Sequence, residues 1–200
     1  MPHHALIVID VQNDFCPGGA LAVADGDAIV PAVNTLIAQF EHVVLTQDWH
    51  PAGHLSFAST HPGHQPYQRI TLPYGEQTLW PDHCIAGQWG AQFHPALHTD
   101  KAALILRKGR HPGIDSYSAF FENDRTTTTG LSAYLRECGI DTLTFCGLAT
   151  DFCVAWSALD AVRLGFKARV ALTACRGIDL DGSLASALQN LRAQDVDVIA

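Results

Sequence analysis

Cys153, at the end of the run Gly147-Leu148-Ala149-Thr150-Asp151-Phe152-Cys153, sits where a loop turns into a helix. Unpaired N–H groups and the helix dipole at such a point favour a thiolate and can hold an oxyanion. A thiolate is also the better nucleophile at neutral pH. The ordinary alternative is a buried, inert cysteine, and that is the reading for Cys138, Cys146 and Cys175. Asp10 and Lys108 each end an apolar run. Alone, Asp10 reads equally as a cap and as an acid–base group, and Lys108 reads as a solvated lysine. Meeting beside a cysteine, they would form one charge-coupled unit. The lysine would keep the carboxylate ionised, and the carboxylate would accept the thiol proton.

Asp48 and His50 follow another apolar run. In extended backbone, residues two apart point the same way, so both could bind one metal ion. Carboxylate and imidazole suit zinc, iron(II) or manganese(II). His83, in Trp80-Pro81-Asp82-His83-Cys84, is the third candidate ligand. His54 is open between a ligand, a supporting donor and loop packing, because Pro51 and Gly53 argue against a helical His-x-x-x-His pair. Eight of the 11 histidines (His3, His4, His42, His61, His64, His94, His98 and His111) have plain surface readings. An Asp-x-His pair is weak evidence by itself.

Short apolar runs and helix-length segments must position these groups. Residues 5–9, 42–46, 102–106, 142–146, 167–172 and 196–199 read as strands. Residues 28–40, a segment from 130 to about 138, 151–164 and 181–193 read as helices, with Pro31 tolerated in a first turn and Asp181 a possible cap. The alternation predicts an α/β fold in three layers, α/β/α, around a central, mainly parallel six-stranded sheet. In such sheets ligands bind beyond the carboxyl ends of the strands, which is where Asp10, Asp48, Lys108 and Cys153 fall. One stretch, residues 49–100, breaks the rhythm and is rich in Pro, Gly, His and Trp; an excursion so long is read as ordered and functional.

The 200 residues fit a single domain, 1–200. With 48% apolar and 16% charged residues the chain is neither disordered nor fibrous, and a net charge of −8 gives no footprint for nucleic acid. No apolar stretch approaches the roughly 20 residues of a membrane helix, and the start lacks a basic signal region, so a cytoplasmic location is expected. The six cysteines are too sparse for a disulfide scaffold and show no Cys-x-x-Cys pair. There is no P-loop, no dinucleotide fingerprint and no Gly-x-Ser-x-Gly elbow.

The blocks Ile9-Asp10-Val11-Gln12-Asn13-Asp14-Phe15, Thr46-Gln47-Asp48-Trp49-His50-Pro51, Leu79-Trp80-Pro81-Asp82-His83-Cys84, Arg107-Lys108-Gly109, Ser116-Tyr117-Ser118 and 147–154 run the length of the chain. Together they resemble the bacterial nicotinamidases (pyrazinamidases) within the isochorismatase-like cysteine hydrolases. The resemblance implies a nicotinamidase that releases nicotinate and ammonia through a cysteine thioester, feeds NAD salvage and also accepts pyrazinamide. It implies Asp10 as base, Lys108 as its electrostatic partner and Cys153 as nucleophile. It also implies an oxyanion hole from the N–H groups of Ala149 and Cys153, and a cis peptide between Leu148 and Ala149. Asp48, His50 and His83 would hold one divalent ion, zinc first and iron(II) or manganese(II) next. Phe15, Trp80 and Tyr117 would line the substrate pocket, and the assembly would be a monomer or homo-oligomer. The sequence departs from some relatives at Phe152, where a histidine can stand. The rival readings are an amidohydrolase of ureido or carbamoyl substrates, which would leave a metal clamp idle, and a non-catalytic thiol sensor.

Overall fold

The computed structural model describes residues 3–199. Eight strands and four α-helices follow one another as β1 His4–Ile9, α1 Val30–Gln39, β2 His42–Asp48, β3 Arg69–Leu72, β4 Gly75–Thr78, β5 Ala102–Lys108, α2 Leu131–Glu137, β6 Thr142–Leu148, α3 Ala155–Arg163, β7 Lys167–Arg176, α4 Ser183–Ala193 and β8 Asp197–Ile199. Six of the strands form one sheet in the order β5-β2-β1-β6-β7-β8, and every pairing in it is parallel. Helices flank this sheet, as the alternating pattern predicts. The unbroken apolar runs of β1 and β6 are buried along almost their whole length, as strands covered on both faces must be. Helix α1 buries Val30, Val33 and Ile37 at helical spacing, with a proline in its first turn.

Strand order matters for function. From β1 the chain moves outward through β2 to β5, then returns to place β6 on the other side of β1. The direction of winding reverses between β1 and β6, and a crevice opens beyond their carboxyl ends. Asp10 leaves β1 there, and Cys153 follows β6. The two strands approach closely because Gly147 has no side chain: a Cβ would lie 2.0 Å from the Ile9 carbonyl oxygen, and φ there is +117°. The next peptide, Leu148–Ala149, is cis.

Four expectations need correction. Residues 49–100 contain an antiparallel hairpin, β3–β4, that the sequence pattern did not reveal; its strands are only four residues each. Asp181 does not cap α4: it lies in the left-handed region at φ 52°, and Gly182 holds the cap position. Helix α1 starts at Val30, after a 3₁₀ turn over Gly26–Ile29. The strand expected over 167–172 runs on to Arg176, with a register shift against β6 between Phe145 and Gly147. Among the described residues no helix is long and apolar enough to cross a membrane.

Gly147→Ala is expected to destabilise the protein by about 3 kcal/mol or more, because the new methyl group meets backbone rather than a yielding side chain. Urea denaturation would measure it, and an unchanged midpoint would refute this account of the β1–β6 junction.

Candidate active site

Asp10 leaves β1 with φ 47°, a left-handed conformation that aspartate tolerates better than most residues. Thr46 on β2 fixes it: the Thr46 hydroxyl donates to Asp10 Oδ1 at 2.6 Å and accepts the Asp10 N–H at 3.2 Å. Lys108, the last residue of β5, is 1% exposed. Its ammonium donates to Asp48 Oδ1 at 2.5 Å, to the Ser116 carbonyl at 2.8 Å and to Cys153 Sγ at 3.4 Å. Asp10 Oδ2 lies 2.9 Å from the same nitrogen as an ion-pair contact, outside hydrogen-bond alignment. Ligand atoms of Asp10, Asp48 and Cys153 all lie within 4.8 Å of one another. Three residues that are distant in sequence thus meet around one cation.

The electrostatics follow from burial. Burial opposes the Lys108 charge, but Asp10 and Asp48 outweigh it and hold the ammonium pKa well above its ordinary value. Burial pushes the Cys153 thiol well up, against the pull of Lys108, and the nearby carboxylates add to the rise. The thiol is therefore neutral at rest. Helix position favours a thiolate, as the sequence suggests, yet desolvation wins. Burial also raises the Asp10 carboxyl, with Lys108 opposing and Asp48 assisting. Asp48 behaves differently: burial works against its charge, but Lys108 and His50 together hold it below the usual carboxylate range.

Asp48 is shared with a second group of donors. His50 Nε2 lies 3.7 Å and His83 Nε2 3.9 Å from Asp48 Oδ2. Each ring donates its other N–H to a backbone carbonyl, His50 to Gly109 at 2.9 Å and His83 to Pro81 at 2.8 Å. That fixes the tautomer and turns both Nε2 lone pairs toward Asp48, as in protein metal sites. His50 Nε2 is buried with no hydrogen-bond partner. An orphaned imidazole nitrogen facing a carboxylate and a second imidazole at these separations fits a divalent metal ion, and the three residues could hold one. Burial and the neighbouring His50 push His83 down to about 4, so its ring is neutral at physiological pH. Gly109 makes room: a Cβ there would lie 2.4 Å from the His50 ring, and φ is +66°.

His54 packs against His50 with ring centroids 4.4 Å apart. Its Nε2–H points at the carbonyls of His111 and Ile114, and its Nδ1 lone pair accepts from the Ser56 backbone N–H. These bonds engage both ring nitrogens, although His50, His54 and Asp115 also bring ligand atoms within 4.8 Å of one another.

Beside these groups lies a pocket. Phe15, Trp80, Tyr117 and Phe152 supply aromatic walls, and Ala149, Cys153, Asp48 and His83 line the same pocket. Trp80, Tyr117 and Phe152 meet edge to face at 5.0–6.3 Å, and the Trp80 Nε1–H donates to the Tyr117 hydroxyl at 3.1 Å. A larger groove, of about 700 Å³, lies elsewhere on the surface, against the edge strand β5 around Trp49 and Arg107.

Several contributors escaped the sequence reading. Gln12 clamps Asp48: its amide donates to the Asp48 carbonyl at 2.8 Å and accepts the Asp48 N–H at 2.8 Å. Asp14 accepts the Cys84 N–H at 2.7 Å, holding the segment that carries His83. Gln77, on the missed hairpin, donates to Asp115 at 2.6 Å and to the Tyr117 hydroxyl at 3.2 Å, bracing the aromatic wall. Leu21, Asp115 and Ile178 also line the pocket. Gln12 and Asp14 lie within a motif block; the others carry no local signal.

The chain matches the isochorismatase domain over residues 4–200. A nicotinamidase of Acinetobacter baylyi is 56% identical over 98% of this chain and 92% of its own length. Among solved structures, an Acinetobacter baumanii nicotinamidase/pyrazinamidase superposes with a TM-score of 0.99 at 59% identity, covering 100% of this chain and 96% of that one. A pyrazinamidase of Pyrococcus horikoshii in complex with zinc superposes with a TM-score of 0.81 at 34% identity, covering 99% of each chain. Fold, site and kinship agree, and the chain belongs to the isochorismatase family, on its nicotinamidase branch.

Proposed function

We propose that in this nicotinamidase Cys153 is the nucleophile, Asp10 the proton carrier and Lys108 the cation that holds both in place. The observation that carries the assignment is the Lys108 ammonium, within 3.4 Å of Cys153 Sγ, Asp10 Oδ2 and Asp48 Oδ1. Nicotinamide is held with its ring among Phe15, Trp80, Tyr117 and Phe152 and its amide carbon toward Cys153. Asp48, His50 and His83 would hold the metal ion, which supplies an electrophilic anchor for the ring nitrogen. We assign zinc, because two imidazoles and one carboxylate match the three-ligand zinc site that leaves a position open, and the Pyrococcus horikoshii relative is described with zinc.

A buried neutral thiol needs a base, and a carboxylate made more basic by burial is suited to that work. Asp10 takes the Cys153 proton as sulfur attacks the amide carbon. The oxyanion is received by the N–H groups of Ala149 and Cys153. Asp10 passes its proton to the amide nitrogen, the C–N bond breaks, and ammonia leaves a thioester on Cys153. Water then gives a proton to Asp10 and attacks the thioester. The C–S bond breaks, Asp10 returns the proton to sulfur, and the acid formed loses its own proton to solvent and departs as nicotinate. Lys108 stays charged throughout and keeps Asp10 ionisable inside the protein.

Cys153→Ala is expected to abolish ammonia release while nicotinamide still binds. Asp10→Asn, which keeps the shape but cannot take a proton, should lose ~10²–10⁴-fold in kcat; near-normal turnover would disprove the base assignment. Asp48→Ala should emerge from purification without its metal. Unchanged metal content by elemental analysis would remove Asp48 from the ligand set.

A further inference from the structure

Asp151 stands two residues before the nucleophile, yet no catalytic step uses it. It is 6% exposed, and its carboxylate is committed to the loop between β7 and α4. Oδ1 accepts the Ile178 N–H at 2.9 Å, and Oδ2 accepts the Asp179 N–H at 2.8 Å together with the Ser183 hydroxyl. Hydrogen bonds to an ionised acceptor are the strong ones. The fit leaves no slack, since a Cβ on Gly177 would stand 3.1 Å from Oδ1. The loop is irregular, with Asp179, Asp181 and Gly182 all at positive φ. From it Ile178 reaches the pocket beside Phe152 and Cys153.

The pocket that Ile178 helps close is narrow, about 20 Å³ counted as positions open to the centre of a water molecule. A flat aromatic ring suits so thin a slot, whereas a substituent that widens the ring meets the wall. Ile178 is part of that wall, and its backbone N–H is held by the Asp151 carboxylate.

We infer that Ile178 is the ceiling that determines which ring amides fit, and that Asp151 is a positioning residue latching this ceiling to the nucleophile turn. The inference rests on the reading that a ring amide reacts at Cys153. An unsubstituted ring lies under Ile178 with its amide at the thiol. A ring carrying a substituent on that side meets Ile178 and reacts poorly.

The test uses the full-length enzyme, its Ile178→Ala and Asp151→Asn variants, and two measurements. Hydrogen exchange without substrate reads the latch alone. Asp151→Asn should speed exchange at the Ile178 and Asp179 amides by about tenfold or more. Steady-state kinetics with nicotinamide and a set of ring-methylated nicotinamides reads the ceiling. Ile178→Ala should raise kcat/KM for at least one methylated amide, relative to nicotinamide, by about tenfold. Asp151→Asn should raise KM for nicotinamide by about tenfold and leave kcat within about threefold. Unchanged exchange in Asp151→Asn, or a fall in kcat with KM unaltered, would overturn the latch. An unchanged substrate preference in Ile178→Ala would overturn the ceiling. Should Asp151→Asn not fold, Ser183→Ala, which removes one hydroxyl from the same carboxylate, takes its place with the same expected rise in exchange. A failure of the catalytic reading would show separately, as turnover by Cys153→Ala, and would leave the exchange result standing.

Discussion

The Lys108 ammonium lies within 3.4 Å of two carboxylates and a thiol, inside a protein that leaves the residue 1% exposed. Burying one charge costs several kcal/mol, and leaving one partner of such a group unpaired costs about 3–5 kcal/mol. Each member therefore depends on the others. Asp10 can ionise inside the protein because Lys108 is there, and Lys108 stays charged because Asp10 and Asp48 face it. Through Asp48 the same cation reaches the imidazoles of His50 and His83. The cysteine side and the histidine side of the pocket are one electrostatic unit.

The sheet supplies the rigidity such a unit needs. Asp10, Asp48 and Lys108 stand at the carboxyl ends of three strands that pair in parallel, and Asp48 and Lys108 are register partners. The reversal of winding between β1 and β6 then sets Cys153 opposite Asp10. Irregular segments finish the site: residues 49–100 bring His83 and Trp80, and the loop after β7 brings Ile178. Strand ends carry Asp10, Asp48 and Lys108, whereas irregular segments carry most of the pocket lining.

Much of this was legible in the residues. The buried strands announced themselves through unbroken apolar runs, and the polar groups at or beyond the ends of those runs are the ones the structure brings together. The strands were nonetheless read two residues too short at β2, β5 and β6. Hydropathy stops where Gln47-Asp48 and Arg107-Lys108 begin, but backbone pairing continues through them. The β3–β4 hairpin was invisible because its strands are short and largely exposed: Arg69–Leu72 alternates over only four residues, and Gly75–Thr78 has no apolar side chain. Gln77 illustrates the limit: a glutamine in an exposed strand has no signature, and its importance lies in partners nearly forty residues away, at Asp115 and Tyr117. Burial also reversed one local inference, since the helix start favours a thiolate at Cys153 while desolvation keeps it a thiol.

The measurement that bears most directly on a single cation serving both halves of the site is Lys108→Met, assayed together for bound metal and for kcat on nicotinamide. Methionine fills a similar volume without charge, leaving Asp10 and Asp48 to repel each other. A folded variant that has lost both its metal and several orders of magnitude in kcat is the predicted result. A variant that keeps full metal content and turns over nicotinamide at nearly the normal rate would contradict the account.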